Sequence, residues 1–212
     1  MAARIAAARP RAVAYEDSST NKFFDPRTLS RKINEILPKQ RMLVFDAGHY
    51  LGWTARYIDV PDADAAFYGL AFQSIGLGLG AAIAAALARP EHLTILCTGD
   101  GGFMMSLADL ETAVRLGIRL GIVIYDDAAY GAEVHPFGAD GLDTSFVKFP
   151  DIDLSAPAKA FGARGAVARV PDDLRVFADW CANANGVFVL DAKIDPNLEA
   201  DWHIDWTRRS NH

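Results

Sequence analysis

Cysteine is scarce. The 212 residues hold two, Cys97 and Cys181, far apart and in neither a Cys-x-x-Cys pair nor a Cys/His cluster. That excludes a disulfide-built scaffold and a thiolate zinc site, and it predicts two buried free thiols in a reducing compartment. A basic block is also missing. Lys and Arg total 21 against 27 Asp and Glu, a formal net charge of −6. Such a chain is a poor partner for nucleic acid or an anionic membrane. No apolar run is long enough to span a bilayer: residues 75–88 are broken by Gly76, Gly78 and Gly80. The Ala/Arg-rich residues 1–10 have no apolar core of signal-peptide length. The expected location is cytoplasmic. Internal repeats are absent.

What is present is an ordinary globular composition, 51% apolar and 23% charged, with 17 glycines. Many of those glycines fall at the ends of apolar runs, where α/β proteins place ligand loops. Residues 1–25 read as an irregular, linker-like arm, polar and turn-rich over 14–21. The remainder, 26–212, reads as one domain. Asp25 is placed to cap a helix beginning at Pro26, with Leu29, Ile33, Ile36 and Leu37 on one face and Pro38 as its stop. Residues 42–45, 93–98, 120–125 and 187–190 are unbroken apolar runs, the pattern of strands buried on both faces. A further short strand is predicted over 67–72, and helices over 74–88, 106–116 and 171–183. Alternation of strand and helix implies an α/β fold: a doubly wound three-layer sandwich with a mostly parallel sheet. Polar loops at 46–50, 99–102 and 126–131 then stand at strand C-terminal ends, where such sheets bind ligands.

The loop Gly99-Asp100-Gly101-Gly102 carries the sharpest chemistry. Its glycines let backbone amides approach a phosphate, and the helix after it presents its positive end there. An acid in that position repels phosphate unless a cation stands between them. Asp100 therefore points to a metal bridge, and magnesium, with its oxygen ligands, suits a carboxylate and a diphosphate. One crossover later the chain reaches Asp126-Asp127-Ala128-Ala129-Tyr130-Gly131, so Asp127 can face the same ion.

Gly-Asp-Gly, some two dozen residues, and then an Asp-Asp before Tyr-Gly is similar to the thiamine diphosphate motif. Residues 72–82, Phe-Gln-Ser-Ile-Gly-Leu-Gly-Leu-Gly-Ala-Ala, resemble the aminopyrimidine-contacting segment of the acetolactate synthase-like family. Asp46-Ala47-Gly48-His49-Tyr50, with Trp53, resembles that family's loop over the cofactor. The resemblance covers roughly residues 25–195 and implies the C-terminal, diphosphate-binding domain of such an enzyme.

It implies thiamine diphosphate and Mg2+ as cofactors. Asp100 and Asp127 would ligate the metal through side chains and Ala129 through its carbonyl. Gly48, His49, Tyr50, Gly99, Gly101, Gly102 and Phe103 would lie near the diphosphate. Gln73, Ser74 and Ile75 would hold the aminopyrimidine, with the Ile75 side chain wedged between the two rings. Tyr130, Gly131 and Ala132 would border the thiazolium, and Glu133 and His135 are the candidate proton-transfer residues.

Two departures stand out. Asp126 replaces the family's usual Asn, adding a negative charge that must weaken diphosphate binding or find a partner. No segment of the chain fits the pyrimidine-binding domain that supplies the activating glutamate. The implied function is therefore the diphosphate-binding subunit of a split enzyme acting on a 2-oxo acid. It would decarboxylate that acid and transfer the acyl unit, in self-associated pairs with a separate pyrimidine-binding subunit. Simple 2-oxo acid decarboxylation and a catalytically silent regulatory subunit are the alternatives. His92, His203 and His212 have no metal-like spacing and receive no role. Gly76-x-Gly78-x-x-Ala81 superficially matches a dinucleotide fingerprint but reads better as a close-packed helix. The aromatic, acidic residues 202–206 could dock a partner chain.

Overall fold

A computed structural model describes residues 13–204. Six strands, β1 (Arg41–Asp46), β2 (Ala66–Gly69), β3 (Leu93–Gly99), β4 (Leu120–Asp126), β5 (Arg164–Ala168) and β6 (Val187–Lys193), form one sheet. Their order is β2-β1-β3-β4-β6-β5. Every pairing is parallel, so the sheet is wholly rather than mostly parallel. β1, β3, β4 and β6 are buried almost throughout, which is why their sequences read as continuous apolar runs rather than as alternations.

Helices cover both faces. On one lie α1 (Pro26–Ile36), α2 (Leu51–Tyr57) and α8 (Arg175–Ala182), around a core of Leu29, Ile33, Trp53, Tyr57, Phe177 and Trp180. On the other lie α3 (Gly78–Ala88), α4 (Asp100–Ser106), α5 (Asp109–Arg115) and α7 (Ser155–Ala160), packed on Val44, Leu96, Ile122 and Val189. The remaining helix, α6 (Gly131–Ala139), follows β4 at the sheet's C-terminal edge. The first helix is the one expected: the Asp25 carboxylate accepts from the Arg27 amide, with Pro26 in the first turn.

Several expected boundaries move. The strand expected over 67–72 ends at Gly69, because Phe72 and Gln73 are left-handed, with φ of 58° and 54°. The helix expected from residue 74 starts at Gly78. The helix expected over 106–116 is two short ones, and the first begins at Asp100, so the glycine loop is itself a helical first turn. Residues 171–183 divide into a 3-10 turn and α8. Residues 13–25 carry no helix or strand, but Phe24 is buried and anchored: its amide donates to the Lys193 carbonyl at 2.8 Å, and its carbonyl accepts from Asp195 at 2.9 Å. Both cysteines are buried free thiols, and burial pushes each up to about 12. Among the described residues no helix is long and apolar enough to cross a membrane.

Candidate cofactor site

The chain runs β1 to β2 on one side and then crosses to β3 on the other, so the strand order reverses between β1 and β3. The C-terminal ends beside that switch point are where an open α/β sheet leaves a crevice. A cavity of about 460 Å3, counting its open mouth, lies there. It is lined by Gly48, His49 and Tyr50 after β1, Ile75 before α3, Gly99 to Gly102 after β3, and Asp127 with Ala129 to Glu133 after β4. The three loops expected from sequence therefore meet.

Asp100 is 3% exposed. Its carboxylate accepts from its neighbour Gly101 at 2.8 Å and, across the sheet, from the Ala129 amide at 3.0 Å. The second bond joins the β3 loop to the β4 loop. Asp127 faces the cavity between them: a Cβ on Gly131 would lie 2.5 Å from its Oδ2. Burial, then the nearby Asp127 and Asp126, raises Asp100 well above the usual carboxylate range. Burial and Asp126 push Asp127 up to about 7. Two enclosed, mutually repelling carboxylates call for protons or a cation. Among the described residues no three His, Cys, Asp or Glu side chains converge as a metal-binding group. A cation here would complete its shell from backbone, water and ligand oxygens, as magnesium commonly does on a diphosphate.

The surrounding wall is backbone. A Cβ on Gly101 would run into the Tyr130 ring, and one on Gly102 would meet Asp46 Oδ2 at 2.6 Å. No side chain fits at either place, so the peptide groups themselves face the cavity. His49 adds a donor. Its Nε2 accepts from the Ala200 amide at 3.0 Å, which leaves the proton of the neutral ring on Nδ1. That Nδ1 is buried with no partner and lies 3.1 Å from where a Gly131 Cβ would stand. Burial, followed by His135 and His203, pushes His49 down to about 3. It is a neutral donor waiting for an acceptor. The carboxylate pair, the glycine wall and this orphaned N–H together fit a magnesium-bridged diphosphate.

Not every expected residue lines the cavity. Phe103 is wholly buried in the core beneath it. Gln73 and Ser74 are exposed on the preceding loop. Tyr50 borders the cavity, but its hydroxyl contacts the Asp46 and Cys97 carbonyls at 2.5 and 2.8 Å, so it ties β1 to β3 rather than facing a ligand. Glu133 lines the mouth and is raised by burial. His135 sits behind it, its ring 4.5 Å from that of His49.

Three residues with no assigned role, or a different one, also shape the site. Asp46 Oδ2 accepts from the Gly76 amide at 2.8 Å and from Thr98 Oγ1 at 3.3 Å, fixing the turn that presents Ile75. A carboxylate ending a buried strand was the available signal. His203 is buried, with its ring 5.3 Å from His49. Trp202 donates to the His49 carbonyl at 3.2 Å. The part of the expected docking segment within the described residues thus packs on its own chain; residues 205 and 206 lie outside them. Asp126 does not face the cavity as a free charge. Its Oδ2 is 2.5 Å from Lys193 Nζ, in a pair almost wholly buried.

This is the ligand crevice of a doubly wound α/β protein. Comparison with known proteins makes it specific: residues 46–192 match the C-terminal TPP-binding domain of thiamine pyrophosphate enzymes, and the chain belongs to that family. Acetolactate synthase of Bacillus subtilis is 28% identical over 170 residues, which are 80% of this chain and 30% of that protein. A 2-hydroxyacyl-CoA lyase of Arabidopsis thaliana is 32% identical over 136 residues, 60% of this chain and 23% of that one. In structure the fold is similar to a thiamine diphosphate-dependent 4-hydroxybenzoylformate decarboxylase of Rhodococcus jostii, with a TM-score of 0.78 and 21% identity over 87% of this chain and 35% of that one. The chain spans about a third or less of these relatives' own length.

Proposed function

We propose that this chain is the diphosphate- and magnesium-holding subunit of a split thiamine diphosphate enzyme. It acts on a 2-oxo acid by decarboxylation with acyl transfer, in the manner of acetolactate synthase. The observation that carries the reading is the facing pair Asp100 and Asp127, set in a glycine wall beside the unpartnered His49 Nδ1–H.

Bound, thiamine diphosphate supplies the nucleophilic carbon and electron sink for breaking a bond beside a carbonyl. The chain's own residues do the rest. Asp100, Asp127 and the Ala129 carbonyl would hold magnesium. The Gly102 amide and the His49 Nδ1–H would bind phosphate oxygens, while the Gly101 amide holds the Asp100 carboxylate in place. Ile75, fixed through Gly76 by Asp46, supports the rings. Glu133, at the mouth, is placed to exchange a proton with a substrate oxygen there.

A second, pyrimidine-binding subunit supplies the activating glutamate, and pairs of this chain assemble with two such partners. An apolar rim supports this part of the reading. Phe67, Tyr68, Leu70, Phe72, Leu77 and Met105 are all exposed, Phe72 completely. Met105 packs against Gly76 beside the cavity. Exposed apolar side chains gathered in this way along residues 67–77 commonly mark interfaces.

The test is calorimetry of thiamine diphosphate with and without magnesium, followed by carbon dioxide release from pyruvate and other 2-oxo acids. Magnesium-dependent binding without turnover is expected of the chain alone, with turnover appearing when a pyrimidine-binding subunit is added. Turnover by the chain alone would remove the partner from the proposal. Absence of binding would remove the proposal itself.

A further inference from the structure

Three acids surround one buried ammonium behind the metal loop. Lys193 Nζ is 2.5 Å from Asp126 Oδ2 and 3.1 Å from both Asp191 Oδ2 and Asp151 Oδ1, and it also donates to the Ile152 carbonyl. Asp126 and Lys193 are direct register partners at the ends of β4 and β6. From there the hydrogen bonds run forward into the cavity. Asp126 Oδ1 accepts from the Ala128 amide at 2.9 Å, and Ala128 is left-handed at φ 56°. That turn aims the Ala129 amide at Asp100. On its far side the loop is laced to residues 147–149: the Ala128 carbonyl accepts from Phe149 at 2.7 Å, and Tyr130 donates to Val147 at 2.9 Å. Lys193 grips the same segment a few residues on, at Asp151 and Ile152.

We propose that Lys193 is a positioning residue: by neutralising Asp126 it holds the 126–131 loop in the turn that presents Asp127 and Ala129 to the cavity. The chain can thereby carry an aspartate directly beside a site for a diphosphate. This deepens the cofactor reading given above and rests on it. The chemistry allows a second solution. Asp126 and Asp191 share the same ammonium, and Asp191 Oδ1 is buried without a partner. An amide at position 126 could keep the Ala128 bond through its oxygen and donate its N–H to Asp191, so that one buried carboxylate rather than two would face the loss of the ammonium. The aspartate thus makes the 126–131 loop depend on Lys193 far more than an asparagine in its place would. A buried charge stripped of its partner is far more costly than a buried pair removed together.

The test compares Lys193→Met, Lys193→Arg, Asp126→Asn and the double variant Asp126→Asn/Lys193→Met in the full chain. Amide hydrogen exchange without cofactor is read at Ala128, Ala129 and Tyr130, with Ile122 and Val189 as controls in the sheet. In Lys193→Met the loop amides should exchange on the order of tenfold faster or more while the controls hold, and magnesium-dependent affinity for thiamine diphosphate should fall by a similar factor. The double variant, in which only Asp191 is left without the ammonium and can accept from the amide at position 126, should recover most of the loss in both. Asp126→Asn alone should change little, and Lys193→Arg should fall between. If Lys193→Met does not fold, a folded and binding double variant carries the same conclusion. A double variant no better than Lys193→Met overturns the proposal, as does Lys193→Met with parental exchange and affinity. If the exchange pattern appears as expected but the parent binds no thiamine diphosphate, the cofactor reading fails and the positioning role stands.

Discussion

The two rims of the cavity are built in opposite ways. The rim formed by β3 and β4 is buried and closed on itself. Asp100 accepts two amides, Asp126 is neutralised by Lys193, and the glycine positions are filled by Tyr130 and Asp46. The rim formed by residues 70–77 is exposed and apolar, and it holds two consecutive left-handed residues that are not glycine. L residues in that region cost roughly 1–2 kcal/mol each. The first rim supplies its own electrostatic partners and ties down its one left-handed alanine, Ala128, with hydrogen bonds to Asp126 and Phe149; the second stays apolar and uncovered. A site half finished in this sense is what a cofactor shared across an interface requires. The comparison can be broken by showing that the first rim tolerates loss or that the second does nothing.

The largest effect should come from the closed rim. Asp100→Ala removes one carboxylate of the facing pair and the acceptor that joins the β3 and β4 loops. Magnesium-dependent binding of thiamine diphosphate should fall by about a hundredfold or more, equivalent to roughly 3 kcal/mol. Titration calorimetry with magnesium and with EDTA reads it. The parent's affinity should collapse in EDTA, while the variant's should be weak in both. A variant with parental affinity would mean that no cation bridges Asp100 and ligand.

How much of this was legible in the sequence follows the same division. The closed rim announces itself because its components are local. A glycine loop enclosing an acid at the end of an apolar run leaves few readings, and the crossover to Asp127 is short. The sheet was legible for the same reason: buried parallel strands are unbroken apolar runs. What was not legible depends on distance along the chain. Lys193 lies 67 residues from Asp126. His203 gained no role because nothing local ties it to His49, which it approaches only through the fold. α2 and β5 were missed: α2 has mixed composition, and β5, Arg-Gly-Ala-Val-Ala, lacks an apolar run because it lies at the sheet edge. The helical start at Asp100 was missed because glycine is a poor helix former and its use in a first turn is set by tertiary packing.

The intermediate effect concerns His49, which belongs to the closed rim and must stay neutral. Its pKa is pushed from 6.5 down to about 3 by burial and by the neighbouring His135 and His203. A depressed histidine binds fewer protons folded than unfolded. Stability is therefore full above the ordinary pKa and is lost as pH falls from about 6.5 toward 3, at about 2 kcal/mol by pH 5. His49→Gln keeps a polar group there without titrating. Asp100 and Asp127, both raised, stabilise the fold as pH falls and do so in parent and variant alike. Between pH 7 and pH 5 the stability read from urea midpoints should therefore shift by about 2 kcal/mol less favourably in the parent than in the variant. Equal pH dependence in both would show that acid sensitivity comes from another group.

The smallest effect on the isolated chain should come from the open rim, and its smallness is what makes it informative. Phe72 is 100% exposed and left-handed at φ 58°. Within this chain its ring therefore buries nothing, and its backbone is strained. Phe72→Gly relieves the strain, while the added freedom of glycine in the unfolded chain offsets roughly 0.5–1 kcal/mol of the gain. Thermal unfolding of the variant alone should match the parent or rise slightly, by no more than about 1 kcal/mol. Magnesium-dependent cofactor binding on the closed rim should be unaffected. The contrast should come when a pyrimidine-binding subunit is added: association, read by sedimentation or light scattering, should weaken by about tenfold, because an exposed aromatic at a protein contact commonly contributes roughly 1–2 kcal/mol. A variant that is clearly less stable alone would mean that Phe72 supports this fold. One that assembles as well as the parent would mean that the open rim is covered elsewhere, and the contrast between the rims would lose its functional meaning.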